Sequence, residues 1–226
     1  MKKLVIIPAY NEAGGIEKTV ENIVTNASDW DFVIVNDCST DNTLEICKSH
    51  GWKVLDLPIN LGIGGGMQTG YKYAYENGYD FAVQMDGDGQ HDAAYLGTLE
   101  KCQQETGADL VIGSRFLERE GFQSSALRRV GIRYFTWLIK LLTKETITDP
   151  TSGMRLADKK VIEFFADSYP KDYPEPDTAV RCLKHGFKLQ EAPVLMKERE
   201  AGRSSIHGFK SAYYMIKVTI AILMVW

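Results

Sequence analysis

Short apolar runs alternate with helical spacings along the first half of this chain. Leu4–Ile7 and Phe32–Val35 are rich in β-branched residues, and each leads through polar loop residues into a helical pattern, Ile16 to Val24 after the first and Thr43 to Lys48 after the second. A strand at Val54–Leu57 follows, then a glycine-rich stretch Gly62–Gly70 opening a helix through Tyr75, then strands at Phe81–Met85 and Leu110–Ile112. This alternation predicts an α/β fold with a mostly parallel central sheet and helices on both faces, where ligands bind at the carboxyl ends of the strands. Polar clusters stand at those ends: Pro8–Glu12, Asn36–Asp41 and Asp86–Gln90.

After Arg115 the pattern changes. Residues 126–142 combine Leu127, Val130, Tyr134, Trp137, Leu138 and Leu141 with a basic row of Arg129, Arg133, Lys140 and Lys144. That spacing fits a surface helix with snorkelling cations or a helix lying on a membrane. A helical pattern at 178–185 is preceded by Glu175 and Asp177. Residues 211–226 are apolar apart from Ser211, Lys217 and Thr219, too short for a comfortable span of about 20 residues. As a helix this tail sets Phe209, Tyr213, Ile216 and Ile220 on one face with Lys210 and Lys217 on a flank, the layout of an interfacial helix or of one packed on the core or on a second copy. The expected division is a catalytic domain over 1–205 and an apolar, amphipathic helix over 206–226.

The length of 226 residues sets one α/β domain as the default. A net charge of −4 gives no overall field for nucleic acid, so any polyanion site must be local. Cys38, Cys47, Cys102 and Cys182 form no CxxC pair, which argues against a zinc site or disulfide framework and fits a reducing compartment. The run Leu4–Ile7 is too short for a signal-peptide core, so a cytosolic start is expected.

Residues 84 to 92 read Gln-Met-Asp-Gly-Asp-Gly-Gln-His-Asp. Asp86 and Asp88, one residue apart at a strand end with glycines between, can aim at one point, and Gln90 adds a third oxygen. Hard oxygen ligands held this way suit Mg²⁺ or Mn²⁺ bridging a diphosphate. An isolated Asp-Gly-Asp is more often a solvated acidic turn; the preceding strand argues otherwise here. Asp37, directly after a buried strand, can accept from a base N–H, whereas Thr40 or Asp41 reads as a helix N-cap. Gly62-Ile-Gly-Gly-Gly follows neither the GxGxxG nor the Walker pattern, leaving ligand approach or helix-entry packing to explain it. His50, His185 and His207 carry no partner pattern, His91 stands in a polar turn, and Trp30, Trp52 and Trp137 read as packing residues.

With Ile-Pro-Ala-Tyr-Asn-Glu at 7–12, Val-Asn-Asp-Cys-Ser-Thr-Asp at 35–41, Asn-Leu-Gly at 60–62 and Met-Asp-Gly-Asp-Gly-Gln-His at 85–91, the chain resembles family 2 glycosyltransferases. Gly-Ser-Arg at 113–115 and Asp-Pro-Thr-Ser-Gly-Met-Arg at 149–155 resemble the branch of dolichyl-phosphate mannose synthases and bacterial polyprenyl-phosphate sugar synthases. The resemblance implies an A-type, Rossmann-like nucleotide-sugar fold. It implies that Pro8, Tyr10 and Glu12 hold the nucleoside beside Gly62, that Asp37 reads the base, and that Asp86, Asp88 and Gln90 bind metal. It also implies that Arg115, Ser152 and Arg155 meet an acceptor phosphate and that Arg199, Gly202 and Ser204 close over the diphosphate. Relatives often place a lysine after that serine; this chain has Ser205, with Arg203 as a nearby substitute charge.

The expected activity is inverting, metal-dependent transfer of a hexose or N-acetylhexosamine from a UDP-sugar, or next from GDP-mannose, to a polyprenyl phosphate for cell-wall or surface polysaccharide. The setting is the inner membrane face. A phosphate with a second pKa near ~6 attacks without a base. Arg115 and Arg155 would position it and Asp88 would hold the ion. A saccharide acceptor would instead need Asp177 or Glu175 as base, although Asp177 also reads as a helix cap. A nucleotide-sugar-binding subunit without turnover, joined to a small membrane protein or to itself, is the third reading.

Overall fold

The computed structural model describes residues 1–118, 126–196 and 209–225, with no side chains described for 126–127 and 209–212. Seven strands form one sheet: β1 (Lys3–Ala9), β2 (Asp31–Asn36), β3 (Val54–Asp56), β4 (Phe81–Gln84), β5 (Leu110–Ser114), β6 (Arg155–Asp158) and β7 (Leu189–Pro193). Their order is β3-β2-β1-β4-β6-β5-β7. β6 runs antiparallel between β4 and β5, and the other pairings are parallel. The helices are α1 (Ile16–Asn26), α2 (Thr43–Ser49), α3 (Gly62–Glu76), α4 (Leu96–Thr106), α5 (Ala126–Thr143), α6 (Lys159–Asp167), α7 (Pro174–Lys184) and α8 (Phe209–Val225).

Alternation along β1 splits the core. Leu4 and Ile6 face a cluster with Met67 and Tyr71 of α3, Phe135 and Ile139 of α5, Phe165 of α6, Val180 of α7 and Val218 and Ile222 of α8. Val5 and Ile7 face Ile16 and Ile23 of α1, Cys47 of α2 and Leu99 of α4. Each such aliphatic side chain contributes about 1.5–3 kcal/mol by leaving water. The tail helix thus shares one core with α5 and α7.

From β1 the chain winds outward to β2 and β3, then returns to β4 on the other side of β1. Strand order reverses between β1 and β4, and in such sheets that reversal opens a crevice beyond the strand ends. In-register pairing of Ile6 with Gln84 and of Ala9 with Asn36 carries Pro8–Glu12, Asp37 and Asp86 to this edge.

The expected strands β1 to β5 are present. β6 and β7 carry little β-branched content and left no comparable signal. α7 starts at Pro174, four residues earlier than its apolar spacing indicates. Pro174 and Pro176 sit in the first turn, where a missing N–H costs no helical bond. Gly64 explains much of the glycine-rich stretch: an added Cβ would stand 2.0 Å from the Pro170 carbonyl oxygen. The α3 entry therefore presses on the 170–171 backbone, the packing alternative for these glycines, while Gly62 takes a left-handed φ of 73°.

Candidate active site

The loops after β1 and β2 are locked together. Asn11 Oδ1 accepts from the Thr40 and Asp41 backbone N–H groups at 2.8 and 3.3 Å, and the Glu12 N–H donates to Thr43 Oγ1 at 2.9 Å. Asp41 Oδ1 accepts from the Thr43 N–H at 3.0 Å, although the cap position of α2 belongs to Asn42 rather than to Thr40 or Asp41. Pro8 and Glu12 lie against Gly87, within the Asp-Gly-Asp turn. Tyr10 is half exposed beside them.

Asp37 is 5% exposed at the end of β2. The Leu61 N–H donates to its Oδ1 at 2.6 Å, and Asn60 Nδ2 donates to its backbone carbonyl at 3.0 Å. The Asn60–Gly62 segment is thereby fastened to Asp37, and one carboxylate oxygen is committed to the backbone.

Asp86 and Asp88 follow β4. The Asp86 side chain is 36% exposed; Asp88 is buried and its Oδ1 accepts from the Gln90 N–H at 3.0 Å. Among the described residues no cluster of three or more His, Cys, Asp or Glu side chains could hold an ion. Two carboxylates and an amide are a sparse, all-oxygen donor set. It fits Mg²⁺ or Mn²⁺ that takes its remaining ligands from diphosphate and water. Gln84 Oε1 and His91 Nε2 are buried beside this turn with no partner among the described residues.

Across the cleft, Arg115 is 4% exposed and grips Asp149 through Nε and Nη2, both at 2.7 Å, with Nη2 also donating to Thr151 Oγ1 at 3.0 Å. Asp149 and Thr148 are held in turn by Glu191 of β7, whose oxygens accept from both backbone N–H groups at 2.8 Å. Burial pushes the Glu191 carboxyl above its ordinary pKa. The Ser114 and Thr148 hydroxyls bond at 2.8 Å.

Arg155, which the resemblance put at the acceptor phosphate, is enclosed and bonded within the protein. Its guanidinium is 1% exposed and donates to the carbonyls of Ser152, Pro150 and Glu175 at 2.8, 2.7 and 2.6 Å and to Thr178 Oγ1 at 2.8 Å. It is a staple inside the 150–155 loop. Ser152 is equally enclosed, and its Oγ has no partner among the described residues.

Asp177 is 4% exposed and spends its carboxylate within α7. It lies inside the first turn of α7 and pairs with Arg181 one turn on at 2.7 Å; the cap position belongs to Tyr173. Glu175 is half-buried in the same turn, and its backbone carbonyl accepts from Arg155. Burial raises its pKa, the Arg155 charge opposes this, and the nearby Asp86 charge adds to the rise.

Arg128 escaped the reading of the basic row. Desolvation and then the Arg115 charge lower its pKa, while Tyr214, Asp149 and Glu175 pull it up. Arg128, exposed near the start of α5, is thus a second arginine that feels the Arg115 charge. The signal was weak because Arg128 falls outside the Arg129, Arg133, Lys140 row that the helical spacing emphasises. Arg199, Gly202 and Ser204, with Arg203 and Ser205, lie outside the described residues.

The crevice at the β1/β4 reversal, with Asp86 and Asp88 beyond β4, is where a sheet of this order binds ligands. Residues 4–165 match the family model described as Glycosyl transferase family 2, and the chain belongs to that family. It is 29% identical to the UDP-N-acetylglucosamine–dolichyl-phosphate N-acetylglucosaminyltransferase of Methanococcus voltae, over 93% of both chains. It is also 29% identical to the undecaprenyl-phosphate mannosyltransferase of Micrococcus luteus, over 97% of this chain and 93% of that one. In fold it is similar to glucosyl-3-phosphoglycerate synthase from Mycobacterium tuberculosis, solved with Mn²⁺, UDP and phosphoglyceric acid. That likeness has a TM-score of 0.71 and 17% identity, and covers 99% of this chain and 77% of that one.

Proposed function

We propose that this protein transfers a hexose or N-acetylhexosamine, with inversion, from a UDP-sugar to a polyprenyl phosphate at the inner face of the membrane, for cell-wall or surface polysaccharide. The observation that carries this reading is one loop meeting both groups: a Cβ at Gly153 would stand 3.3 Å from Asp86 Oδ2, and Asp149 earlier in that loop holds the Arg115 guanidinium at 2.7 Å. Carboxylates on one side suit the donor's metal-bound diphosphate, and arginines on the other suit an anionic acceptor. The relatives named as dolichyl-phosphate and undecaprenyl-phosphate transferases support the same acceptor class.

Asp86, Asp88 and Gln90 would hold Mg²⁺ or Mn²⁺, which when bound neutralises the charge that builds on the leaving diphosphate. Pro8, Tyr10 and Glu12 would cradle the nucleoside. Asp37, with Oδ1 already accepting from the Leu61 N–H, would have its second carboxylate oxygen for the base, which favours uracil over guanine. A single ring N–H matches one oxygen; guanine presents a pair of donors that a free carboxylate would take side by side. Arg115, held by Asp149, and Arg128 orient the acceptor phosphate, which attacks already ionised.

The membrane setting is supported by one joint surface. α5 and α8 lie side by side, bonded between Tyr134 and Thr219, and expose Val130, Trp137 and Leu141 together with Tyr213, Ile216, Ile220 and Leu223. Neither helix contains an acidic residue, and Arg133 and Lys140 are exposed among the apolar groups. Among the described residues no helix is long and apolar enough to cross a membrane.

A saccharide acceptor is the second reading, favoured by Glu175, whose carboxyl pKa is raised by burial as suits a base. Measuring nucleotide release from a panel of UDP- and GDP-sugars, with undecaprenyl phosphate or simple sugars as acceptors, tests both. The proposal expects UDP release driven by the lipid phosphate. Release driven only by sugars would transfer the case to Glu175.

A further inference from the structure

A polar side chain at the end of a central strand calls for a reason, since burying an amide costs free energy unless it is bonded. Gln84 ends β4 and is 1% exposed. Its Nε2 donates to Asp86 Oδ1 at 3.1 Å, while its Oε1 has no partner among the described residues. The amide is there for Asp86 more than for itself.

Asp86 is gripped from a second side. Its backbone N–H donates to His91 Nδ1 at 3.0 Å, which assigns the His91 ring as the neutral tautomer with its proton on Nε2. The same Nδ1 lies 3.9 Å from Asp86 Oδ2, and the ring is 4% exposed. Gly153 closes the third side: a Cβ there would stand 3.2 Å from Gln84 Nε2, 3.3 Å from Asp86 Oδ2 and 3.4 Å from His91 Cε1. Its φ is not among the left-handed ones, so glycine stands here for space rather than for backbone freedom.

We propose that Gln84, His91 and Gly153 are positioning residues forming a socket that aims the Asp86 carboxylate at the ion. Through Gly153, the loop that carries Asp149 and Ser152 then helps to set metal affinity. This rests on the metal-dependent reading above. Two sequence-distant segments converge on one carboxylate: the end of β4 with the turn after it, and the 149–153 loop. A carboxylate fixed in advance loses less rotational freedom when an ion arrives, and partners behind a metal ligand are typically worth about 10–100-fold in metal affinity.

The test is Mn²⁺ binding to the full chain in the presence of UDP, followed by the electron paramagnetic resonance of free Mn²⁺, with UDP affinity in EDTA and thermal unfolding measured alongside. Gln84→Met, His91→Phe and Gly153→Ala are each expected to weaken Mn²⁺ binding about 10-fold or more, with UDP affinity in EDTA unchanged. Gln84→Met is expected to keep or raise the unfolding temperature, because it removes an unpartnered buried oxygen; a merely structural glutamine would do the reverse. His91→Asn, whose amide oxygen can accept the Asp86 N–H, is expected to recover part of the affinity lost in His91→Phe. Variants that bind Mn²⁺ as tightly as wild type, or that lose UDP binding and fold in step with it, overturn the socket. A wild-type chain that binds no Mn²⁺ with UDP overturns the metal reading itself, and the socket with it.

Discussion

The Arg155 guanidinium donates to the backbone carbonyl of Glu175 across 2.6 Å, so a residue matching an acceptor-binding motif spends its charge on holding the start of α7. Replacing it by lysine leaves several enclosed carbonyls without donors, each costing about 1–3 kcal/mol. Arg155→Lys is therefore expected to lower unfolding stability by about 3 kcal/mol or more, as read by denaturant titration. Full stability with only a raised acceptor KM would return Arg155 to the acceptor side.

Arg128 and Arg115 should behave differently from each other. Arg128→Gln is expected to lower kcat/KM for the lipid phosphate about 10–100-fold, the range for a charged hydrogen bond of about 1.5–3 kcal/mol, with UDP affinity kept. Arg115→Ala also strands Asp149, which is fully buried, and is expected to lose about 3–5 kcal/mol of stability besides. Steady-state kinetics with calorimetric UDP binding separates the two effects. Equal losses for nucleotide and lipid would place these arginines on the donor side.

Glu175 makes stability depend on pH. Its carboxyl has a raised pKa when folded, so the folded chain holds that proton more tightly than the unfolded chain does. The stabilisation is complete below the ordinary carboxylate pKa and is lost as pH rises through the raised folded value. Glu175→Gln, which cannot ionise, is expected to be more stable than wild type at neutral pH, with the gap closing as pH falls to about 4. Melting curves across this range check it, and a gap that widens in acid contradicts it. Asp177→Asn, which only weakens the pair with Arg181, is expected to leave turnover nearly unchanged.

Trp137 is 57% exposed on α5, beside the apolar face of α8, and reports on the membrane. Vesicles containing anionic lipid are expected to shift its fluorescence to the blue and to float the protein, with Ile216→Ser and Ile220→Ser together weakening both. Both exposed isoleucines lie on α8, so fold should survive the change. Unchanged fluorescence with a concentration-dependent rise in mass would assign this face to a second copy.

The strands that build the cleft were legible because β1, β2 and β4 each carry a short apolar run, and the residues proposed for the donor side stand at their ends. The acceptor side was less so. Arg155 shares a motif stretch with Asp149 while Arg115 stands in another at 113–115, and sequence order cannot tell which partners will enclose a guanidinium. Asp177 looked like a cap because prolines at 174 and 176 conceal the first turn of α7. Gln84 drew no notice because one polar residue in a short strand has no periodicity; its meaning comes only from Asp86 two residues on.

Mass spectrometry of the lipid phase after incubation with Mn²⁺, undecaprenyl phosphate and mixed UDP-sugars tests the central claim most directly. The expected result is one sugar-phosphate-polyprenol species in the wild-type reaction, absent with EDTA and absent in Asp88→Ala, whose fold is expected to survive because the lost group is a site carboxylate. A lipid product formed equally well in EDTA, or sugar transfer to soluble saccharides with the polyprenyl phosphate untouched, would contradict the account.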